Sequence, residues 1–312
     1  VAVVGPTAVG KTALAISLAE DFRGEIVSAD SRQVYRHLDI GTAKPTSAER
    51  SRVPHHLIDL VEPNDPFSLA EYQELAVKTI KEIQAREHLP ILTGGTGQYV
   101  WAVLENWVVP RVPPNLELRR RLEARAARGE ALHEELSRIN PDAAARIDSR
   151  NTRRVIRALE ISYLGGDTPT KSSPLFDSLI IGLCAPRAEL YRRIELRLAN
   201  MIETGLLAEV EKLQGMGYSA TLPALSSIGY RQIWQHLAGD LSLAEAVSAI
   251  NIESHRLVRQ QCNWFKPADR RIHWFDISHE PYPKIFRLVS DYFTYSKMIS
   301  QEDKAAPMLD LG

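Results

Sequence analysis

At 312 residues, with 44% hydrophobic and 25% charged side chains, the chain has the composition of an ordinary globular protein and the length of one large domain or two modest ones. Its net charge of −1 excludes attraction to nucleic acid through bulk charge, so a nucleic-acid site would have to be a local basic surface. The two cysteines, Cys184 and Cys262, lie far apart without a C-x-x-C pattern, which excludes a disulfide framework or a zinc ribbon, and no apolar stretch is long enough to span a membrane.

The first predicted element is a strand over Val1–Val4. The chain starts there and not at a methionine, so a short preceding piece is expected. The strand runs into "GPTAVGKT", which fits G-x-x-x-x-G-K-[ST] with Gly5, Gly10, Lys11 and Thr12 at the fixed positions. Glycines let backbone N–H groups turn inward around phosphate oxygens, and the helix predicted over Lys11–Asp21 points its positive end at the same place. Lys11 would reach the outer phosphate and the Thr12 hydroxyl would help hold Mg²⁺. The motif says phosphate, but neither which phosphate compound nor which reaction.

A second strand, Glu25–Ala29, ends at Asp30. Its carboxylate would lie near the phosphate loop, to bind Mg²⁺ or its waters, to accept a proton, or merely to cap a turn with Ser31. The loop that follows, "SRQVYRHLDIGTAKP", offers Lys44 beside a glycine and a hydroxyl. A strand is predicted over His56–Leu60. Neighbours on a strand point to opposite faces, so His55 and His56 cannot easily share a metal ion and read as structural, or as supports behind a site. A helix over Leu69–Arg86 leads to a strand over Pro90–Thr93 and to "TGGTGQY", where three glycines admit close backbone approach and Thr96 offers a hydroxyl. A helix N-terminal turn would explain that loop equally well.

The stretch after Pro113 breaks the alternation. It reads as helices throughout and carries twelve Lys/Arg against nine Asp/Glu between Glu117 and Lys171. Residues 113–173 are therefore expected to form an all-helical insertion domain, with 1–112 and 174–312 as the core. Strands over Leu179–Cys184 and Arg271–Phe275 bracket helices over Ala188–Thr204, Leu206–Gln214 and Leu243–Phe265. Trp264 and Phe265 beside Arg256, Arg259 and Lys266 fit an RNA stacking patch, or more simply a core helix with a solvated basic face. After Ser278 a weakly patterned helix and a frayed polar end are expected. The alternation predicts an α/β fold with a parallel sheet flanked by helices. Ligands in such sheets bind beyond the carboxyl ends of the strands, where the three loops should meet.

Taken together, "GPTAVGKT", "DSRQVYRHLDIGTAKP", "PHHLID", "GGTGQY", "RVIRALE", "LYRRIELRLANMIETGLLAEV" and "IGYRQIW" resemble, in order and spacing, the tRNA dimethylallyltransferases, also called tRNA isopentenyltransferases. The resemblance runs from Val1 to about Phe275. It implies a P-loop NTPase-like core and transfer of a dimethylallyl group from its diphosphate to the exocyclic amine of the adenosine on the 3′ side of the anticodon, in tRNAs reading codons that begin with U. It implies that the loop grips an allylic diphosphate and that ATP is not required. Gly5, Pro6, Thr7, Ala8, Val9, Gly10, Lys11 and Thr12 would then hold the diphosphate together with Arg197. Asp30, Thr96 and Lys11 would be catalytic, with Asp30 taking the proton of the amine. Asp30, Ser31, Arg32 and Gln33 match the segment that meets the target base, and Thr96 lies between the two substrates. Arg119, Arg153, Arg154 and Arg157 match basic tRNA contacts, as do Gly229, Tyr230 and Arg231, and Arg259 near the C-terminus.

One departure stands out. Where the family commonly shows T-R-x-x-A-K-R-Q-x-T-W, this chain reads "SHRLVRQQCNW", so His255 and Gln260 replace arginines. The zinc finger of some eukaryotic members is absent, which favours a bacterial-type enzyme. The resemblance further implies Mg²⁺ as cofactor, dimethylallyl diphosphate and the tRNA anticodon stem-loop as partners, no membrane association, a monomer and a cytoplasmic location, which the cysteine usage also suits. The competing functions are an isopentenyltransferase acting on free adenine nucleotides, a small-molecule P-loop kinase and a non-catalytic tRNA-binding module.

Overall fold

The structure is a computed structural model that describes residues 1–166 and 170–305. Its strands are β1 (Ala2–Val4), β2 (Gly24–Ser28), β3 (His55–His56), β4 (Leu89–Thr93), β5 (Trp107–Val108), β6 (Thr170–Lys171), β7 (Ile180–Cys184) and β8 (Ile272–Asp276). The chain divides into two compact units, one of Val1–Val100 with Phe176 onward, the other of Trp101–Leu175.

The first unit is built on a six-stranded sheet in the order β3-β2-β4-β1-β7-β8, with every neighbouring pair parallel. β1, β2 and β7 are buried almost end to end. Both sheet faces are covered, so these strands read as continuous apolar runs without alternation. The exception is Glu25, buried in β2, where Arg86, His56 and His88 hydrogen-bond its carboxylate. Burial alone would push its pKa up, but those hydrogen bonds and the Arg86 charge pull it down to about 2. His56 is thus occupied by Glu25, and His55 Nδ1 by the Val53 carbonyl, as expected of structural histidines.

Helices over Lys11–Asp21, Leu69–Ala85, Arg187–Glu203, Leu206–Gly215 and Leu243–Trp264 fall within a residue of their predicted bounds. Two open on capping boxes that are legible in the sequence, Ser68 with Glu71 and Ser242 with Glu245. The predicted third strand is a correction. It extends only over His55–His56, because Leu57 and Asp59 adopt φ of 62° and 57° and turn the chain out of the sheet. The following residues pair instead with the 33–36 segment, through Leu60 N–H to Val34 O at 2.7 Å and Arg36 N–H to Val61 O at 2.9 Å.

The second unit has its own core, where Leu122, Leu132, Leu136, Val155, Ile156 and Leu159 pack together. Four helices carry it, Leu116–Ala127, Leu132–Ile139, Pro141–Ala144 and Thr152–Tyr163. The expected all-helical character and the 113–173 bounds need correcting. β5 and β6 form an antiparallel ribbon, Trp107 opposite Lys171 and Val108 opposite Thr170, which ties the two ends of the segment together and extends the unit to 101–175. Strands of two residues carry no periodicity from which to be read. No helix among the described residues is long and apolar enough to cross a membrane. The expectation of a frayed C-terminal end reaches into residues 306–312, outside the described residues.

Candidate active site

β2, β4 and β1 lie side by side, so the loops that leave their carboxyl ends converge. They line a cleft of about 1490 Å³, closed by side chains of the Arg187–Glu203 and Leu243–Trp264 helices. Every residue lining it belongs to the first unit.

In the phosphate loop, Gly5 has φ of 142°, and a Cβ there would sit 2.4 Å from the Leu183 carbonyl oxygen, so only glycine fits against β7. The helix begins after Gly10 without a side-chain cap, leaving its N-terminal N–H groups open to an anion. Lys11 Nζ donates to the Pro6 carbonyl at 2.7 Å. Burial pulls the Lys11 pKa down to about 8; the Asp30 carboxylate opposes this and the Arg197 guanidinium adds to it. Arg197 feels the same surroundings: burial lowers its pKa, and Asp30 raises it. It makes no hydrogen bond or ion pair among the described residues, so its donors face the cleft unspent. Thr12 also lines the cleft.

Two of the expected residues offer no backbone N–H to a diphosphate. Pro6 has no N–H, and its carbonyl accepts from Lys11. The Thr7 N–H is taken by Gln261 Oε1 at 2.7 Å. The backbone donors left for an anion begin at Ala8 and continue through Val9 and Gly10 into the helix.

Asp30 Oδ1 accepts from Arg32 N–H at 2.8 Å, so the turn-capping role exists, with Arg32 and not Ser31 as the donor. It occupies one carboxylate oxygen and leaves the other to the cleft. Thr96 is a tie between loops: its Oγ1 accepts from Ser31 N–H at 3.0 Å and donates to Ser31 Oγ at 3.2 Å. Gly94 permits that junction, since a Cβ there would fall 2.1 Å from the Ala29 carbonyl oxygen.

Of the residues expected to meet a base, Arg32 donates to the Pro223 carbonyl at 2.7 Å. Gln33 is consumed internally, between Ser28 Oγ and the carbonyls of Thr42 and Ala43, and is a framework residue. Lys44, which the sequence places in a ligand loop, is buried and bonded to Asp39, Asp59 and the Tyr35 carbonyl. Tyr230 is fully buried and donates to Glu209 Oε1 at 2.5 Å, while Glu209 also receives the N–H groups of Asp39, Ile40 and Gly41. Tyr230 is therefore a support for the 39–41 loop, contrary to its expected RNA contact. Gly229 caps the next helix with φ of 98°, and Arg231 pairs with Glu253. Arg259 donates to the Tyr191 hydroxyl, and Tyr191 stacks on His255 with centroids 3.7 Å apart. The unusual histidine at 255 is thus part of an aromatic pair.

In the second unit the four arginines separate into two kinds. Arg119 forks onto Glu160 at 2.9–3.1 Å, and Arg157 joins it at 2.6 Å while also donating to the Val112 carbonyl. Glu160 is 0% exposed. Burial would raise its pKa, but the hydrogen bonds from Arg119 and Arg157 hold it below the usual carboxylate range. Arg119 and Arg157 therefore hold the unit together, a correction to the expectation of solvated phosphate contacts. Arg153 and Arg154 are exposed on the same helix without an ion pair among the described residues. Asp148 is paired with Arg150.

Sequence reasoning overlooked Glu209 and Gln261. Gln261 stood inside the "SHRLVRQQCNW" pattern, but nothing local announces that a glutamine in the last turn of a helix bridges two loops.

The model of the IPP transferase family matches residues 33–268. A relative from Dehalococcoides mccartyi, named tRNA dimethylallyltransferase, is 45% identical over 296 residues, 93% of this chain and 91% of that protein. One of the same name from Thermomicrobium roseum is 50% identical over 284 residues, 89% of this chain and 86% of its own. A crystal structure of the full-length tRNA isopentenylpyrophosphate transferase from Bacillus halodurans superposes with a TM-score of 0.72 at 38% identity, covering 96% of this chain and 98% of that one.

Proposed function

The chain belongs to the IPP transferase family, and from that premise we propose that it transfers a dimethylallyl group from dimethylallyl diphosphate to the exocyclic N6 amine of the adenosine 3′-adjacent to the anticodon, in tRNAs reading codons that begin with U, giving N6-isopentenyladenosine. The observation that carries this is the convergence of Lys11, Arg197 and the free oxygen of Asp30 in one cleft. Two cations and the open helix end suit a diphosphate, and the single carboxylate beside them suits the amine that displaces it.

In the transfer, the bond from N6 to the allylic carbon forms as the bond from that carbon to the diphosphate oxygen breaks. Asp30 receives the proton that N6 sheds. Lys11, Arg197 and the backbone N–H groups from Ala8 onward take up the charge that gathers on the departing diphosphate. The adenosine has to leave its stack to reach the cleft, so it enters as an extruded base. Among the described residues no group of three or more His, Cys, Asp or Glu could hold a metal ion, while Thr12 and Asp30 both line the cleft. That sparse donor set fits Mg²⁺, which keeps water and phosphate oxygens as most of its ligands. When bound, it would neutralise diphosphate charge. The proposed enzyme is a monomer with a cytoplasmic location, the latter because a tRNA substrate suits it.

Labelled dimethylallyl diphosphate offered with undermodified tRNA, with AMP, or alone tests this function. Label should enter tRNA only; label in AMP would make the chain a free-nucleotide transferase, and no transfer with ATP-dependent phosphorylation of a small molecule would make it a kinase. The same assay separates the arginines of the second unit. Arg153→Ala with Arg154→Ala should raise the tRNA KM and flatten the salt dependence of tRNA binding by about 0.7–0.9 log per log salt for each phosphate no longer neutralised, with an unchanged melting temperature. Arg157→Ala should instead lower the melting temperature, because it strips a partner from a buried carboxylate. An unchanged salt slope in the double variant would remove this surface from tRNA binding.

A further inference from the structure

We infer that Gln261 is a positioning residue for transfer, a clamp that sets the phosphate loop against the loop carrying Thr96. This rests on the reaction proposed above. Gln261 is 6% exposed and lines the cleft from the last turn of the Leu243–Trp264 helix. Both ends of its amide are committed. Oε1 accepts from Thr7 N–H at 2.7 Å, and Nε2 donates to the Gly95 carbonyl at 3.0 Å. The reversed amide would set donor against donor and acceptor against acceptor, so only one orientation satisfies the pair.

The two loops it joins do different work. Thr7 lies four residues before Lys11 in the loop that meets the diphosphate. Gly95 precedes Thr96, whose hydroxyl holds Ser31, the neighbour of Asp30. Hydrogen bonds therefore run without a break from Thr7 through Gln261 to Gly95, and from Thr96 to Ser31. The same helix face seats the glycine loop tightly: a Cβ at Gly95 would sit 2.4 Å from Gln261 Nε2, and one at Gly97 2.3 Å from Trp264 Cγ. The amide thus fixes how far the leaving group stands from the proton acceptor, a distance that neither loop can set alone. It also withdraws the Thr7 N–H from the anion cradle before any donor arrives, so the loop is shaped in advance.

Transfer kinetics of wild type, Gln261→Leu and Gln261→Glu test this, with pyrophosphate binding and melting temperature measured on each. Gln261→Leu should lose about 10- to 100-fold in kcat at saturating donor and tRNA, with an unchanged tRNA KM, because reacting groups are displaced and not removed. Gln261→Glu keeps the acceptor for Thr7 N–H but sets a carboxylate oxygen against the Gly95 carbonyl. It should have a low kcat with an unchanged tRNA KM and, unlike the neutral leucine, should weaken pyrophosphate binding through its negative charge beside the phosphate loop. Wild-type kcat in both variants overturns the role. So does a loss that follows only the unfolded fraction at the assay temperature, or one confined to the tRNA KM. A wild-type enzyme that transfers nothing to tRNA overturns the reaction itself, and the clamp with it.

Discussion

Lys11→Met is expected to remove transfer almost completely at saturating donor while leaving tRNA affinity at the wild-type level and the melting temperature no lower. The charge that builds on the departing diphosphate meets the Lys11 ammonium, and removing one preorganised donor of this kind costs about 10²–10³ in rate. The stability side has the opposite sign. Burial lowers the Lys11 pKa from 10.5 to about 8, so the protonated form is the disfavoured one in the folded chain. Below about pH 8 that penalty is fully present, and it is relieved as pH rises from 8 towards 10.5, where the unfolded chain still holds the proton. A neutral methionine escapes it. In the wild-type enzyme the same titration should make kcat/KM for the donor fall above about pH 8, while kcat holds to higher pH because bound phosphates restore the lysine charge. Thermal melting, tRNA titration and a donor pH profile check the three parts. Near-normal turnover in Lys11→Met would end the assignment of Lys11 to the diphosphate.

Asp30→Asn should lower kcat by about 10²–10⁴, the range for loss of a general base. The amide preserves the hydrogen bond from Arg32 N–H, because an Asn oxygen can take the place of Oδ1, so the turn is kept and the protein should melt as wild type does. Pyrophosphate should bind at least as well as before. Asp30 is the countercharge felt by both Lys11 and Arg197, and its loss leaves the cleft more positive. Asp30→Ala should be equally slow and somewhat less stable through the lost turn. The discriminating measurement is single-turnover transfer with Asn. A rate close to wild type would reduce Asp30 to orienting the adenine, with the proton leaving to water.

The alternation of strands and helices, the phosphate loop and the convergence of three loops on one sheet edge are legible in the amino-acid sequence. Each rests on local grammar: Gly5 and Gly10 at positions where φ is positive, continuous apolar strands, and Ser-x-x-Glu caps at Ser68 and Ser242. Such signals lie within a dozen residues of one another, and sequence preserves them. The roles of individual polar side chains are not legible, because those depend on partners supplied by distant segments. Arg119 and Arg154 look alike in a basic stretch, yet the first meets a buried carboxylate 41 residues away and the second meets solvent. Gln33, Lys44 and Tyr230 carry groups suited to a ligand, but neighbouring carbonyls and carboxylates have already spent them. Gln261 shows the converse: an unremarked helical glutamine acquires its place from Thr7, 254 positions away, and from Gly95, 166 positions away. Composition and local pattern determined the elements and the kind of site they build. Which polar atoms remain free to act there was decided only by packing, because a buried donor or acceptor is satisfied by whatever the fold brings within about 3 Å of it.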